Sequence, residues 1–220
     1  MQNQAYLQGL PRTAEICLSL AGFSFLFPLF AVLALLVKLT SRGPVLFRQK
    51  RIGLQGNEFV LYKFRSMRSN TEGLKLTAAD DNRLTSIGKW LRRYKLDELP
   101  QLWNVLRGEM SLVGPRPEVP EYVDLQNPLW REILRVRPGI TDPVALRLRN
   151  EEQLLASVAD REAFYIEILL PFKLRAWAEY ARHKTWKTDL SILLHTFIVI
   201  MLPNTAPPPT REELLVALTD

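Results

Sequence analysis

The sequence predicts a mainly α-helical protein with one small β-hairpin and an apolar N-terminal helix that enters a membrane. Three observations carry this expectation. Residues 16–37 hold no charged side chain. Two β-rich runs, 45–51 and 58–64, flank the turn residues Gly53-Leu54-Gln55-Gly56-Asn57. Apolar positions then recur with a 3.6-residue period at Ile87, Trp90, Leu91 and Tyr94, and again at Leu99, Leu102, Trp103 and Leu106.

The apolar run would make a helix of roughly 33 Å, enough to cross a hydrocarbon core. It is too long for a cleaved signal peptide and lacks a small-residue cleavage site. Pro28 lies in its middle and frees the carbonyl of Ser24, four residues earlier. Two readings stand. One is a spanning helix with a mild kink. The other is a re-entrant hairpin that enters and leaves by the same face, which suits the basic residues on both flanks, Arg12 and Lys38 onward. In either case the cluster Lys38, Arg42, Arg48, Lys50 and Arg51 places the following domain on the cytoplasmic side.

The hairpin cations would lie against anionic head groups, or form a solvated basic loop. Residues 69–83 read as a loop. The two amphipathic helices around residues 87–106 meet at residues 95–98, with Asp97 suited to N-cap the second and Pro100 to its first turn. Six prolines make residues 111–150 irregular, and residues 137–143 read as a rigid loop. Helical patterning returns over residues 151–170 and, after Pro171, over 172–183. The latter carries Lys173, Arg175, Arg182 and His183 beside Leu174, Trp177 and Tyr180, a pattern suited to the interface plane. Residues 190–202 are apolar but short for a span, and read as a packed or interfacial helix.

Composition narrows the function classes. A net charge of +6 and a pI near 9.6 point to an acidic partner: nucleic acid, anionic lipid or a phosphorylated substrate. No zinc spacing or aromatic RNA-binding motif supports nucleic acid, and the apolar segment argues against it. Cys17 is the single cysteine, so an internal disulfide and a CxxC site are excluded; it reads as a small hydrophobe. His183 and His195 are too few for a histidine metal cluster.

Residues 91–117, LRRYKLDELPQLWNVLRGEMSLVGPRP, concentrate the chemistry. Arg92, Arg93 and Lys95 precede the adjacent acids Asp97 and Glu98, and Gly114-Pro115-Arg116-Pro117 is a stiff turn with a cation in its middle. A carboxylate near a helix N-terminus and several cations stays ionised. It can then attack phosphorus, while arginine or Mg²⁺ neutralises the phosphate charge. Taken alone, Asp97 is a helix cap, Arg116 a surface turn, and Glu109 and Glu118 are solvated acids.

The combination alters that weighing. An apolar segment with a central proline is followed by GPVLFRQKRIG, KFRSM, LTSIGKWLRRYKLDELPQLWNVLRGEMSLVGPRP and RPGIT. From about residue 10 to about 200 the chain resembles the bacterial sugar transferases that are monotopic phosphoglycosyl transferases, in what looks like their minimal form. The resemblance implies a re-entrant membrane helix broken at Pro28, with interfacial amphipathic helices beside a small β-hairpin. It implies transfer of a sugar-1-phosphate from a UDP-sugar to polyprenyl (undecaprenyl) phosphate with release of UMP, the first step of lipid-linked glycan synthesis. Asp97 matches the nucleophile and Glu98 the Mg²⁺-associated acid. Arg116, between Pro115 and Pro117, matches a phosphate-contacting arginine; Arg92, Lys63 and Arg65 match basic positions near the site. Two departures stand out: Phe27, not Ser, precedes Pro28, and Asp142-Pro143 follows RPGIT where many members have Gly.

The expected organisation is a membrane helix over residues 1–40, a catalytic domain over 41–202 on the cytoplasmic face of the bacterial inner membrane, and a tail over 203–220 with no assigned role. A homodimer is compatible with this. The rival reading is a non-catalytic membrane adaptor with a basic surface.

Overall fold

The computed structural model describes residues 9–68 and 76–202, together with Pro209 and Leu214. Residues 69–75 of the expected loop at 69–83, the first eight residues and nearly all of the tail therefore lie outside the described residues.

Helix α1 spans Arg12–Thr40 and runs without interruption through Ser24 and Pro28, where a break was expected: as an interior residue Pro28 removes one backbone donor but does not end the helix. Among the described residues it is the one helix long and apolar enough to cross a membrane. Glu15, Ser19, Leu33 and Val37 form one buried stripe along it. Both halves rest on the rest of the protein. At one end Arg12 donates to the carbonyls of Val105 and Met110, and Glu15 Oε1 accepts from the Leu112 amide at 3.1 Å. At the other end Leu33 and Val37 pack with Phe64 and Leu91. The remaining surface is apolar and open, with Phe25 85% exposed and Leu39 72%. Cys17 belongs to that outer face and is exposed, so it fills no core position.

The expected hairpin is present. Strands β1 (Leu46–Ile52) and β2 (Glu58–Phe64) pair antiparallel from Leu46 opposite Phe64 to Ile52 opposite Glu58. Helix α2 (Ser86–Arg93) starts at Thr85, whose hydroxyl accepts from the Gly88 amide. Helix α3 covers Gln101–Arg107 and ends at Gly108, φ 83°.

The proline-rich region is more ordered than its pattern predicts. It contains β3 (Ser111–Val113), α4 (Pro128–Ile133), β4 (Gly139–Thr141) and α5 (Pro143–Arg147), each short enough for prolines to sit at its borders. β3 and β4 pair in parallel. The helical pattern at 151–170 is broken into α6 (Glu151–Ala156) and α7 (Arg161–Phe164) because Asp160 caps a new start at Arg161, its carboxylate accepting from the Ala163 amide. A π-helical turn, Tyr165–Leu169, leads into α8 (Leu170–His183).

Helix α8 corrects the interfacial expectation. Its Phe172, Leu174, Trp177 and Ala178 join Trp130, Ile133, Leu148, Leu155 and Tyr165 in the largest core. Lys173 is buried too, its charge met by Glu151 at 2.7 Å. A basic amphipathic pattern suits a bilayer surface, but here partners distant in sequence satisfy the cation. The last helix, α9 (Trp186–Met201), does keep an open apolar face, with Leu194, Phe197 and Met201 each more than half exposed.

Two glycines let β3 and β4 meet. A Cβ on Gly139 would stand 2.0 Å from the Gly114 nitrogen, and one on Gly114 would stand 2.3 Å from the Arg137 carbonyl oxygen. Gly139→Ala should therefore force the strands apart and cost about 1–3 kcal/mol of stability. Thermal unfolding of the variant beside wild type checks this; an unchanged midpoint would mean that the close approach is relieved at no cost.

Candidate active site

The site begins with a local backbone device. Lys95 adopts a left-handed conformation, φ 56°, and turns the chain from α2 into a single 3₁₀ turn, Leu96–Glu98. Leu96 and Leu99 pack against the α1 side, and the two acids between them turn inward. Asp97 is 3% exposed and Glu98 7%. The expected capping role fails here. Helix α3 starts only at Gln101, no side chain caps it, and Asp97 Oδ1 is buried without a hydrogen-bond partner among the described residues.

Glu98 is the electrostatic centre. Its Oε1 accepts from Lys63 Nζ at 2.8 Å and from Arg116 Nη2 at 2.6 Å, and Arg116 Nη1 stands 3.4 Å from Oε2. Burial alone would raise the Glu98 carboxyl, but Arg116 and then Lys63 outweigh it and hold the group well below its ordinary value. Burial lowers the Lys63 amine to about 8, with Glu98 opposing that fall. Asp97 behaves oppositely to its neighbour: burial and the adjacent Glu98 charge raise its carboxyl. The sequence expectation that surrounding cations keep Asp97 readily ionised is thus corrected, because desolvation outweighs Lys63, Arg92 and Lys95.

Arg116 is aimed by its turn. Gly114 donates its amide to the Thr141 carbonyl and Gly139 to that of Pro115, both at 3.0 Å. On the far side Arg51 Nη1 donates to the Pro117 carbonyl at 2.9 Å, and the Ile52 amide to that of Glu118 at 3.0 Å. The GPRP segment is therefore held from β4 on one side and from β1 on the other, and the two prolines stiffen what lies between.

Glu118 is no solvated acid. It is 5% exposed, accepts from the Tyr165 hydroxyl at 2.6 Å and stands 3.4 Å from Arg51. Lys173 Nζ lies 4.0 Å from the same carboxylate. Sequence reasoning missed Tyr165, Lys173 and Glu151 as neighbours of the Arg116 turn, and no spacing signal connects them to it. Glu109, by contrast, accepts from Asn104 at 2.7 Å and Arg107 at 3.0 Å, away from the cations of the site.

The remaining basic candidates are each paired. Arg92 is occupied by Glu152 at 2.6 Å. Arg65 is 4% exposed and donates to the carbonyls of Val37, Ser41 and Arg42, closing the C-terminal end of α1. Its role in the structure is to fasten α1 to β2. Ser24 and Pro28 lie exposed on α1. Lys63, Arg65, Arg92, Glu98, Arg116, Glu118 and Tyr165 share the lining of one cavity of about 1490 Å³; Asp97 is next in sequence to Glu98 but is not part of that lining.

Among the described residues no group of three or more candidate metal ligands occurs. The adjacent Asp97 and Glu98 carboxyls, one with a partnerless buried oxygen, fit a Mg²⁺ ion that takes few protein oxygens and completes its shell with water and phosphate.

The Lys63 amine is directly measurable. In metal-free protein, NMR of labelled lysine side chains should show it half-neutralised near pH 8, far below an ordinary lysine. Glu98 raises it, so Glu98→Gln should move the midpoint lower still; an upward move would contradict the pairing.

Comparison with known proteins accords with this geometry. The model of the family described as bacterial sugar transferase matches residues 6–203. The undecaprenyl-phosphate glucose phosphotransferase of Komagataeibacter xylinus is 49% identical over 138 residues, 59% of this chain and 25% of that protein. The UDP-glucose:undecaprenyl-phosphate glucose-1-phosphate transferase of Xanthomonas campestris pv. campestris is 43% identical over 188 residues, 82% of this chain and 36% of that protein. A Bacillus subtilis (strain 168) protein, provisionally named an undecaprenyl-phosphate N-acetylgalactosaminyl 1-phosphate transferase, is 38% identical over 165 residues, 74% of this chain and 86% of that protein. The chain thus spans only a quarter to about a third of the first two relatives and most of the third. With the match running from residue 6 to residue 203, the chain belongs to the bacterial sugar transferase family.

Proposed function

We propose that this protein transfers a sugar-1-phosphate from a UDP-sugar to polyprenyl phosphate and releases UMP. The observation that carries this reading is the buried Lys63–Glu98–Arg116 group beside Asp97, at one cavity of a chain in this family. Two cations on one carboxylate leave a net positive site for a diphosphate. The relatives' names, which specify UDP-sugar or undecaprenyl-phosphate chemistry for those proteins, support it further.

In the proposed mechanism the Asp97 carboxylate attacks the phosphorus bonded to the sugar. The bond to the bridging oxygen breaks, and UMP leaves with the electron pair. The resulting phosphosugar–Asp97 ester is attacked by an oxygen of the lipid phosphate, which takes the sugar phosphate and restores the carboxylate. Arg116 and Lys63 hold the phosphate oxygens and offset their charge. Glu98 would hold Mg²⁺, which when bound supplies charge neutralisation at the diphosphate. Asp97 must lose its proton to act, and its raised carboxyl sets the acid limit of activity above the usual aspartate range.

The membrane part of the reading rests on α1 and α9. The outer faces of both are apolar, and both ends of α1 are bound to the same domain, through Arg12 and Glu15 at one end and through Arg65 at the other. A helix crossing the bilayer would separate its ends by about 30 Å of hydrocarbon. Docking of both ends on one body supports a helix held at a single membrane face, as the re-entrant reading requires, although α1 itself runs unbroken through Pro28; the catalytic domain would lie on the cytoplasmic face of the inner membrane.

Asp97→Asn keeps the shape and removes the nucleophile. UMP release from a UDP-sugar in the presence of polyprenyl phosphate should fall on the order of 10³-fold or more. Full turnover by the variant would exclude Asp97 as nucleophile. Absence of UMP from wild-type protein across a panel of UDP-sugars would favour the adaptor reading.

A further inference from the structure

Helix α6 sets two adjacent acids against two cations that come from different helices. Glu151 Oε1 accepts from Lys173 Nζ of α8 at 2.7 Å. Glu152 Oε1 accepts from Arg92 of α2, from Nε at 2.8 Å and from Nη2 at 2.6 Å. All four residues line the cavity that holds Glu98 and Arg116. Arg92 and Glu152 are 60 residues apart, so no local pattern connects them.

The helix that carries Glu152 is fastened on several sides. Leu155, in its last turn, is 2% exposed and belongs to the largest core. The Lys173 that Glu151 reaches is itself buried, over the rings of Tyr165 and Trp177. The Ala79 amide donates to the Glu152 carbonyl at 2.9 Å. The Glu152 carboxylate is therefore presented to Arg92 from a fixed backbone.

Glu152 takes only one edge of the guanidinium. Nε and Nη2 are engaged, and Nη1 has no partner among the described residues. Arg92 also stands near enough to the reacting group for its charge to act on the Asp97 carboxyl. An arginine held along one edge keeps its other donors for a ligand. It has also given up in advance the rotamer freedom that binding would otherwise remove. The opposite arrangement would be a competitor, with Glu152 occupying the arginine until a phosphate displaces it. A carboxylate carried by a fastened helix, leaving Nη1 open, favours positioning over competition.

We propose that Glu152 is a positioning residue: it holds Arg92 so that Nη1 meets a phosphate oxygen of the sugar nucleotide. This rests on the proposed transferase reading and adds a residue to the site of its first substrate. Glu152 acts through Arg92 and touches no substrate atom, while Lys63 and Arg116 serve the same diphosphate from the Glu98 side.

The test uses the full chain in detergent micelles, with UDP binding measured by calorimetry and turnover by UMP release. Glu152→Ala keeps the main-chain carbonyl that Ala79 needs and removes only the side chain. It should raise KM for the UDP-sugar and weaken UDP binding about tenfold, with kcat changed less than about twofold. Glu152→Gln keeps an acceptor at the same reach and should recover part of the lost affinity. Arg92→Ala should weaken UDP binding at least as much, and adding Glu152→Ala to it should cost nothing further. Additive losses in the double variant, no recovery with Glu152→Gln, or no UDP binding by the wild type would each overturn the inference. Tighter UDP binding by Glu152→Ala would overturn it too, and would mark Glu152 as a competitor. If wild-type protein binds UDP with this dependence on Glu152 and Arg92 yet releases no UMP from any UDP-sugar, the transferase reading fails and the positioning role stands.

Discussion

Everything in the site depends on one buried carboxylate and its two cations. Glu98 reaches the Lys63 amine from β2 and the Arg116 guanidinium from the GPRP turn, so three separate pieces of chain converge on it. Removing one partner of such a pair leaves an uncompensated buried charge, at a cost of about 3–5 kcal/mol. The same arrangement determines the chemistry. One acid is held ionised and neutralised, while the acid next to it is desolvated and raised. Adjacent carboxyls in one 3₁₀ turn are thereby pushed in opposite directions of protonation, as the two roles proposed for them would need.

A second layer keeps that geometry in place. Arg116 is fixed by main-chain hydrogen bonds to both neighbouring strands, and Glu118, two residues on, is tied to Arg51 and Tyr165. Lys173 joins this network from the buried side of α8. Arg65 and Glu15 then fasten the two ends of α1 to the same body. The apolar surfaces of α1 and α9 consequently have a set position relative to the charged site, as the proposed reaction between a water-soluble sugar nucleotide and a membrane lipid would require.

Much of this was legible in the sequence where the signal is local. The hairpin followed from its turn residues, α2 and α3 from their apolar period, and Asp97, Glu98 and Arg116 from their motif. What failed was long-range. Lys173 sits in a pattern indistinguishable from that of an interfacial helix, and only the fold brings Glu151 to it. Arg65 lines the cavity as its motif suggested, but its guanidinium also donates to the α1-end carbonyls of Val37 and Ser41, a second role that no local pattern announces. Asp97 looked like a cap because the left-handed turn at Lys95, which delays α3 to Gln101, has no sequence signature at a lysine. β3 and β4 were hidden because three-residue strands lined by prolines show no alternation.

In the proposed mechanism Asp97 forms a bond to the sugar phosphate before the lipid takes part. It is tested most directly by mixing the protein with a UDP-sugar in the absence of polyprenyl phosphate, quenching rapidly, and mapping peptides by mass spectrometry. The expected result is a phosphosugar adduct on Asp97, with an equal amount of UMP released in the first turnover. UMP that forms only when the lipid phosphate is present, with no adduct at Asp97, would contradict it and point to direct transfer.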